Sequence, residues 1–361
     1  MLTAEAVIDL DAWKYNYAFI KSKCPSAKAV AVVKGNAYGH GAIKLAQALS
    51  NADAFAVSRI QEAVELRDAG ITQPILLLEG CFCPEELQCA AELELHTLIH
   101  NQTQLKELEQ TTLSKPIQVW IKVDTGMHRL GVFPDQVDAY HQRITATPNA
   151  KDDIGFASHF NRADELDCGV TEKQMAIFKK ATSKYPGPKS LSNSAGALFW
   201  PAAHYDWMRP GIALYGMTPR GGSTGKAEGL RPVMTLRSKL ISVRTHQQGQ
   251  PVGYGQKWTA DRDTCIGVVA MGYGDGYPRT APSGTPVLVN GRRATIVGNV
   301  SMDMITVDLG PSAQDKIGDE VIFWGDDLAA EEVASYIGTI AYELVIKIAP
   351  RVQKTYIGTG L

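Results

Sequence analysis

Eight apolar runs of strand length, each followed by turn residues or a helical pattern, constrain this chain more tightly than any other feature of its sequence. They occupy residues 27–34, 54–58, 74–78, 96–99, 117–123, 154–159, 190–194 and 208–215. Between them, segments such as 60–69, 84–93, 134–144 and 172–184 place apolar residues on one face at helical spacing. This alternation predicts an α/β fold, an N-terminal (β/α)8 TIM-like barrel. An open doubly wound sheet has the same signature and stands as the alternative, because pattern alone does not decide closure. A short segment at 6–10 and a helix from about Asp11 precede the first run.

The pattern changes at Thr218-Pro-Arg-Gly-Gly-Ser-Thr-Gly225, a glycine-rich stretch of the kind that separates domains. Beyond it, β runs dominate: 233–243, 265–271, 286–288, 293–297, 304–308, 321–324 and 352–357, with Asn290-Gly291 as a turn signal and one helix near 329–337. The expected division is a barrel over 1–225 and a mainly β domain over 226–361, the first few residues being candidates to pair with the β domain. A length of 361 residues suits two domains.

A net charge of -2 leaves no basic surplus for nucleic acid. No apolar window is long enough to cross a bilayer, and Met1-Leu-Thr-Ala-Glu-Ala lacks the regions of a signal peptide, so a cytoplasmic location is expected. The six cysteines include Cys81-x-Cys83, which has no zinc spacing. Reduced core or loop thiols are expected, with a disulfide or a metal as the lesser alternative.

In a barrel, the reacting groups stand where strands end. The first run delivers a single lysine, Lys34, ahead of Gly39 and Gly41 and of a helical pattern carried by Ile43, Leu45, Ala46 and Leu49. A lysine desolvated on one side can lose its proton and attack a carbonyl, whereas a surface lysine in a strand-to-helix turn needs no function. Other runs also end in polar residues. The fifth ends Lys122-Val-Asp124-Thr-Gly-Met-His128-Arg129-Leu-Gly131, the sixth Ser158-His159-Phe160, and the seventh Ser192-Asn193-Ser194; the eighth carries Arg209-Pro-Gly211. Converging on one mouth, they would suit an anionic, carbonyl-bearing cofactor. Ser194 and Gly211 fall at the usual phosphate position of this fold, although a helix cap and a turn explain them equally well.

Lys34-Gly-Asn36-Ala-Tyr38-Gly-His40-Gly41 resembles the pyridoxal-phosphate lysine motif of alanine racemases, with Gly35 where alanine is usual. The resemblance continues in family order to Tyr342 and covers nearly the whole chain. It implies a cytoplasmic isomerase that uses pyridoxal 5'-phosphate to interconvert L- and D-alanine, supplying D-alanine for cell-wall peptidoglycan or serving catabolism. It implies further that Tyr38, Asn193, Ser194, Gly211, Ile212 and Tyr342 bind the phosphate end. Arg209, supported by His159, would meet the pyridine nitrogen. A guanidinium there donates a hydrogen bond, leaves that nitrogen unprotonated and weakens the ring as an electron sink, which favours racemisation over transamination. As plain alternatives, Arg209 pairs with a carboxylate at the barrel rim and His159 is a core histidine.

Arg129, in Asp-Thr-Gly-Met-His-Arg-Leu-Gly, would meet the cofactor's phenolic oxygen and the substrate carboxylate, and the resemblance makes Lys122 a candidate for carbamylation. Inversion needs a base on each face of the α-carbon, and Lys34 serves only one. By resemblance the second is Tyr254 of Val252-Gly-Tyr254-Gly255; Tyr273, Met302 and Asp303 would line the substrate and its channel. The family builds its sites at a homodimer interface, with Tyr254, Tyr273 and Met302 coming from the second subunit. Without the resemblance, Tyr254 is a packing or turn residue, Met302 core and Asp303 a turn former. Departures fall at Gly35, Asn161-Arg162 and Gln353. Among rivals, a fold-related amino-acid decarboxylase would carry a carboxylate in place of Arg209, and a single-barrel cofactor carrier would lack the segment from Leu230 onward.

Overall fold

The protein is described here by a computed structural model covering residues 3–359. The apolar runs form short parallel strands: β2 (Lys28–Val32), β3 (Ala54–Val57), β4 (Ile75–Leu77), β5 (His96–Ile99), β6 (Gln118–Lys122), β7 (Gly155–Ala157), β8 (Lys189–Ser190) and β9 (Trp207–Met208). β1 (Glu5–Asp9) precedes them. Their order is β8-β7-β6-β5-β4-β3-β2-β9. Two backbone hydrogen bonds close the remaining seam, Asp206 N to Lys189 O at 3.1 Å and Arg209 N to Ser192 O at 2.9 Å. The sheet is a barrel, and the open alternative falls away.

Side chains from Phe55, Trp120 and Phe156 are fully buried in it. Around it stand the helices Ile60–Asp68, Pro84–Glu92, Gln102–Gln110, Val137–Ala146 and Val170–Thr182. The first helix, Leu10–Lys23, starts where the Asp9 carboxylate accepts from Asp11 N and Ala12 N at 2.9 Å each.

The seventh and eighth runs differ from expectation, since each keeps only two residues of strand. Asn193 accepts from Gly196 N at 3.0 Å and turns Ser194–Phe199 into a helix. After Pro210, Ile212–Tyr215 winds into a 3-10 turn. Short apolar runs carry no signal that separates a buried strand from a buried helical turn. The result brings Asn193, Ser194, Gly211 and Ile212 together at this part of the barrel rim.

The second domain is an eight-stranded sheet. Its long strand, β10 (Met234–His246), pairs antiparallel with β1, which also pairs in parallel with Gln353–Ile357. The chain's first strand therefore belongs to the β sheet. A helix absent from the sequence expectation, Ala341–Ile346, packs back onto the barrel so closely that a Cβ on Gly39 would lie 2.3 Å from Val345 O. All six cysteines are free, and no helix among the described residues is long and apolar enough to cross a membrane.

Candidate active site

The stretch after β2 is not a simple turn. Gly35, Asn36, Ala37 and Tyr38 have φ of 62°, 52°, 53° and 49°, one turn of left-handed helix. Ala37 N donates to Val33 O at 2.7 Å and Gly39 N to Gly35 O at 3.0 Å. The motif residues divide their work across this turn. Asn36 Oδ1 accepts from Ala42 N at 2.8 Å and caps the following helix, Ala42–Ala48. His40 Nδ1 stands 3.0 Å from Ala37 O and 2.9 Å from Tyr38 O, and burial pushes its pKa down to about 4, so it is a neutral donor inside the fold. Lys34 and Tyr38 face the other way, into a cavity of about 690 Å³ at the C-terminal ends of the strands.

Lys122, Arg129, His159, Asn193, Ser194, Arg209, Gly211, Ile212 and Tyr342 line the same cavity. Its electrostatics are lopsided. Lys34, Lys122, Arg129 and Arg209 have no carboxylate within ion-pair distance among the described residues, and the two carboxylates on the wall are already engaged, Glu79 with Arg59 at 2.7 Å and Glu343 with Lys347. An enclosed excess of cations calls for an anionic ligand.

Burial, reinforced by Arg209, Arg129 and Lys34, pushes the Lys122 pKa down to about 8. Burial also lowers that of Lys34; Arg129 adds to the shift, while Glu79 and Glu62 oppose it. His159 is held far below its usual value by burial and the same cations, so it stays neutral.

Arg209 is only 7% exposed and donates to Ser190 Oγ and to the carbonyl of Ser158, with no carboxylate partner. Burial lowers its pKa to about 10, so it is cationic at neutral pH. Elsewhere in the lining, Ser194 Oγ accepts from Gly211 N at 2.9 Å and Ala213 N at 3.2 Å. A Cβ on Gly211 would lie 2.6 Å from the Tyr38 hydroxyl, so only glycine leaves this approach open. The Tyr38 and Tyr342 rings stand 6.0 Å apart, and burial raises both phenols well above their usual value, keeping them protonated donors. Arg129 sits on a loop pinned by buried Asp124, which accepts from Gly126 N and His128 N at 3.0 Å each.

Tyr254, Tyr273, Met302 and Asp303 do not line this cavity. They stand on exposed turns of the β domain, where Tyr254 is 73%, Tyr273 40% and Met302 53% exposed. These turns are bonded in series. Asn299 Nδ2 donates to Tyr254 O at 2.7 Å, Tyr273 N to Ser301 O at 3.0 Å and Gly274 N to Met302 O at 2.8 Å. Asp303 is held by Arg351 at 2.9 Å.

The candidate side chains thus fall into two groups, one enclosed and one outward-facing. The description "Alanine racemase, N-terminal domain" matches residues 8–219 and "Alanine racemase, C-terminal domain" matches 233–356. The chain belongs to the alanine racemase family. It is 52% identical over 358 residues, 99% of the chain, to the whole of the biosynthetic alanine racemase of Escherichia coli K12. The structure of biosynthetic alanine racemase from Pseudomonas aeruginosa superposes with a TM-score of 0.96 at 45% identity, covering 99% of this chain and 100% of that one. That of alanine racemase from Acinetobacter baumannii gives 0.93 at 35%, with the same coverage.

Sequence reasoning passed over several cavity residues of this family member. Glu79 ends the apolar run Ile-Leu-Leu-Leu and lines the wall, so the polar strand terminus that marked Lys122 and His159 was present there too. Ile340 and Ile346 reach the cavity from the end of the second domain, which no local pattern signals.

Proposed function

We propose that this chain interconverts L- and D-alanine, using pyridoxal 5'-phosphate held in the barrel cavity by Lys34. The observation that carries this reading is the enclosure of Lys34 with three other carboxylate-free cations beside Ser194, Gly211, Ile212 and the phenols of Tyr38 and Tyr342. That residue set fits the cofactor: Ser194, Gly211 and Ile212 would hold its dianionic phosphate, Arg209 would meet its ring nitrogen, and Lys34, an amine whose pKa burial lowers, would bond its carbonyl carbon. When bound, the cofactor supplies an electron-withdrawing ring that acidifies the α-carbon of an amino acid.

The protein does the rest. Tyr38 and Tyr342 donate to the phosphate end, Asn193 keeps Ser194 in place by capping its helix, and Arg209, with neutral His159 beside it, presents N–H groups and no acid. Arg129 orients the substrate carboxylate. Lys34 exchanges a proton on one face of the α-carbon, and Tyr254 of the partner subunit serves the other face. Tyr273 and Met302 of the partner subunit, with Asp303, narrow the approach. The site is therefore completed in a homodimer, and the exposed, mutually bonded turns of the β domain are what each subunit contributes.

Lys122, neutral in part near pH 8, is the candidate for carbamylation, which would replace a cation next to Arg129 by an anion. The reading divides the chain at 1–225 and 226–361, sets it in the cytoplasm and makes it biosynthetic, as its named relatives in Escherichia coli and Pseudomonas aeruginosa are. Incubation with L-alanine and the cofactor in heavy water, followed by enantiomer and α-deuterium analysis, tests it. Deuterated D- and L-alanine together are expected; release of carbon dioxide or an absence of α-deuterium would refute the activity.

A further inference from the structure

A left-handed turn does not hold itself. Each non-glycine residue in it is strained by its Cβ, so its neighbours must over-determine it. The bonds inside the turn leave Gly35 N–H, the first donor after Lys34, without a partner of its own. Glu62 supplies one. Its Oε1 accepts from Gly35 N at 2.5 Å, while Oε2 accepts from Ser58 N at 2.9 Å and Arg59 N at 3.1 Å. One carboxylate thus joins the loop after β2 to the loop after β3, one oxygen to each. Arg59 carries the tie onward to Glu79 after β4, with its guanidinium 5.1 Å from the Phe82 ring centroid. Glu62 does not line the cavity, so it acts through the lysine's backbone.

We propose that Glu62 is a positioning residue for Lys34: its carboxylate clamps the left-handed turn to the neighbouring loop and so fixes where the amine enters the cavity. This rests on Lys34 being the amine that holds the cofactor and moves the proton. The negative charge of Glu62 also favours the protonated lysine, opposing the effect of burial. A clamp and a purely electrostatic neighbour therefore predict opposite results when the charge is removed. Glutamine keeps one accepting oxygen and sets an NH2 against a backbone donor, so one loop is released.

The test compares the full-length, cofactor-loaded parent with Glu62→Gln and Glu62→Asp. Three quantities are measured: kcat and KM for alanine, hydrogen exchange peptide by peptide, and the pH midpoint for reductive trapping of Lys34. Glu62→Gln is expected to lower kcat by roughly 10- to 100-fold with KM changed less than about threefold. Exchange should quicken at 34–41 while the other barrel strands keep their protection, and the shorter aspartate should not rescue it. Unchanged exchange at 34–41 overturns the clamp, as does exchange that quickens equally throughout the barrel. A lowered trapping midpoint with undiminished kcat overturns it in favour of electrostatics. Lys34→Ala separates the two levels: full racemisation by that variant would remove the functional reading, while the exchange result would still judge the clamp.

Discussion

The barrel cavity and the exposed turns of the β domain make an instructive pair. The first is lined within one chain, with Lys34, Arg209 and the tyrosines buried or half-buried and Arg209 fixed by hydrogen bonds to Ser190 and Ser158. The second offers Tyr254, Tyr273 and Met302 to solvent, on turns that brace one another and lie outside the lining of the barrel cavity. Enclosure costs desolvation of charged groups, which the barrel meets by packing layers of strand and helix around them. In the proposed site, a phenol acting on the far face of the same carbon would come from the second subunit, because one strand end cannot reach both faces.

The largest effect that could break this contrast is at Lys34. Lys34→Ala should lower racemisation by about 10³-fold or more and abolish reductive incorporation of the cofactor, as assayed by turnover and by peptide mapping. Tyr254→Phe should cost about 10²-fold in racemisation, and its signature is directional. Solvent deuterium should still enter the α-position of D-alanine through Lys34 but hardly that of L-alanine, and equal loss of both exchanges would merge the two groups into one.

A smaller effect follows from Lys122, whose neutral form grows as pH rises through about 8. Uptake of labelled bicarbonate should increase across that range and vanish in Lys122→Ala, because only the unprotonated amine adds carbon dioxide. The smallest expected effect is in the turn after β2. Gly35→Ala places a Cβ at φ +62°, 2.7 Å from the flexible end of Ile346, and should cost about 1–2 kcal/mol in thermal or denaturant unfolding.

Both regions could be found in the sequence, for different reasons. The barrel half announces itself through period and position: apolar runs alternate with helical patterns, and polar residues such as Lys34, Lys122 and His159 end the runs. Tyr254, Tyr273 and Met302 carry no such local signal and stand out only by resemblance to the family. What stayed hidden depends on tertiary constraint. The left-handed turn at 35–38 is set by Glu62, whose hydrogen bond to Gly35 N spans 27 residues. The truncation of the seventh and eighth strands follows from the Asn193 cap and from Pro210, within runs whose apolar content fits strand and helix alike. The helix carrying Tyr342 is six residues long, too short for a periodic pattern to stand out.

Subunit complementation tests the division of the site between two chains most directly. Lys34→Ala and Tyr254→Phe variants, each nearly inactive, are to be unfolded together and refolded as mixed dimers. A mixed dimer has one site that inherits both defects and one that inherits neither. Random mixing should then restore about a quarter of the parental sites. Recovery toward that level is the expected result. Mixed dimers of verified composition that stay as inactive as the separate variants would contradict a site shared between subunits.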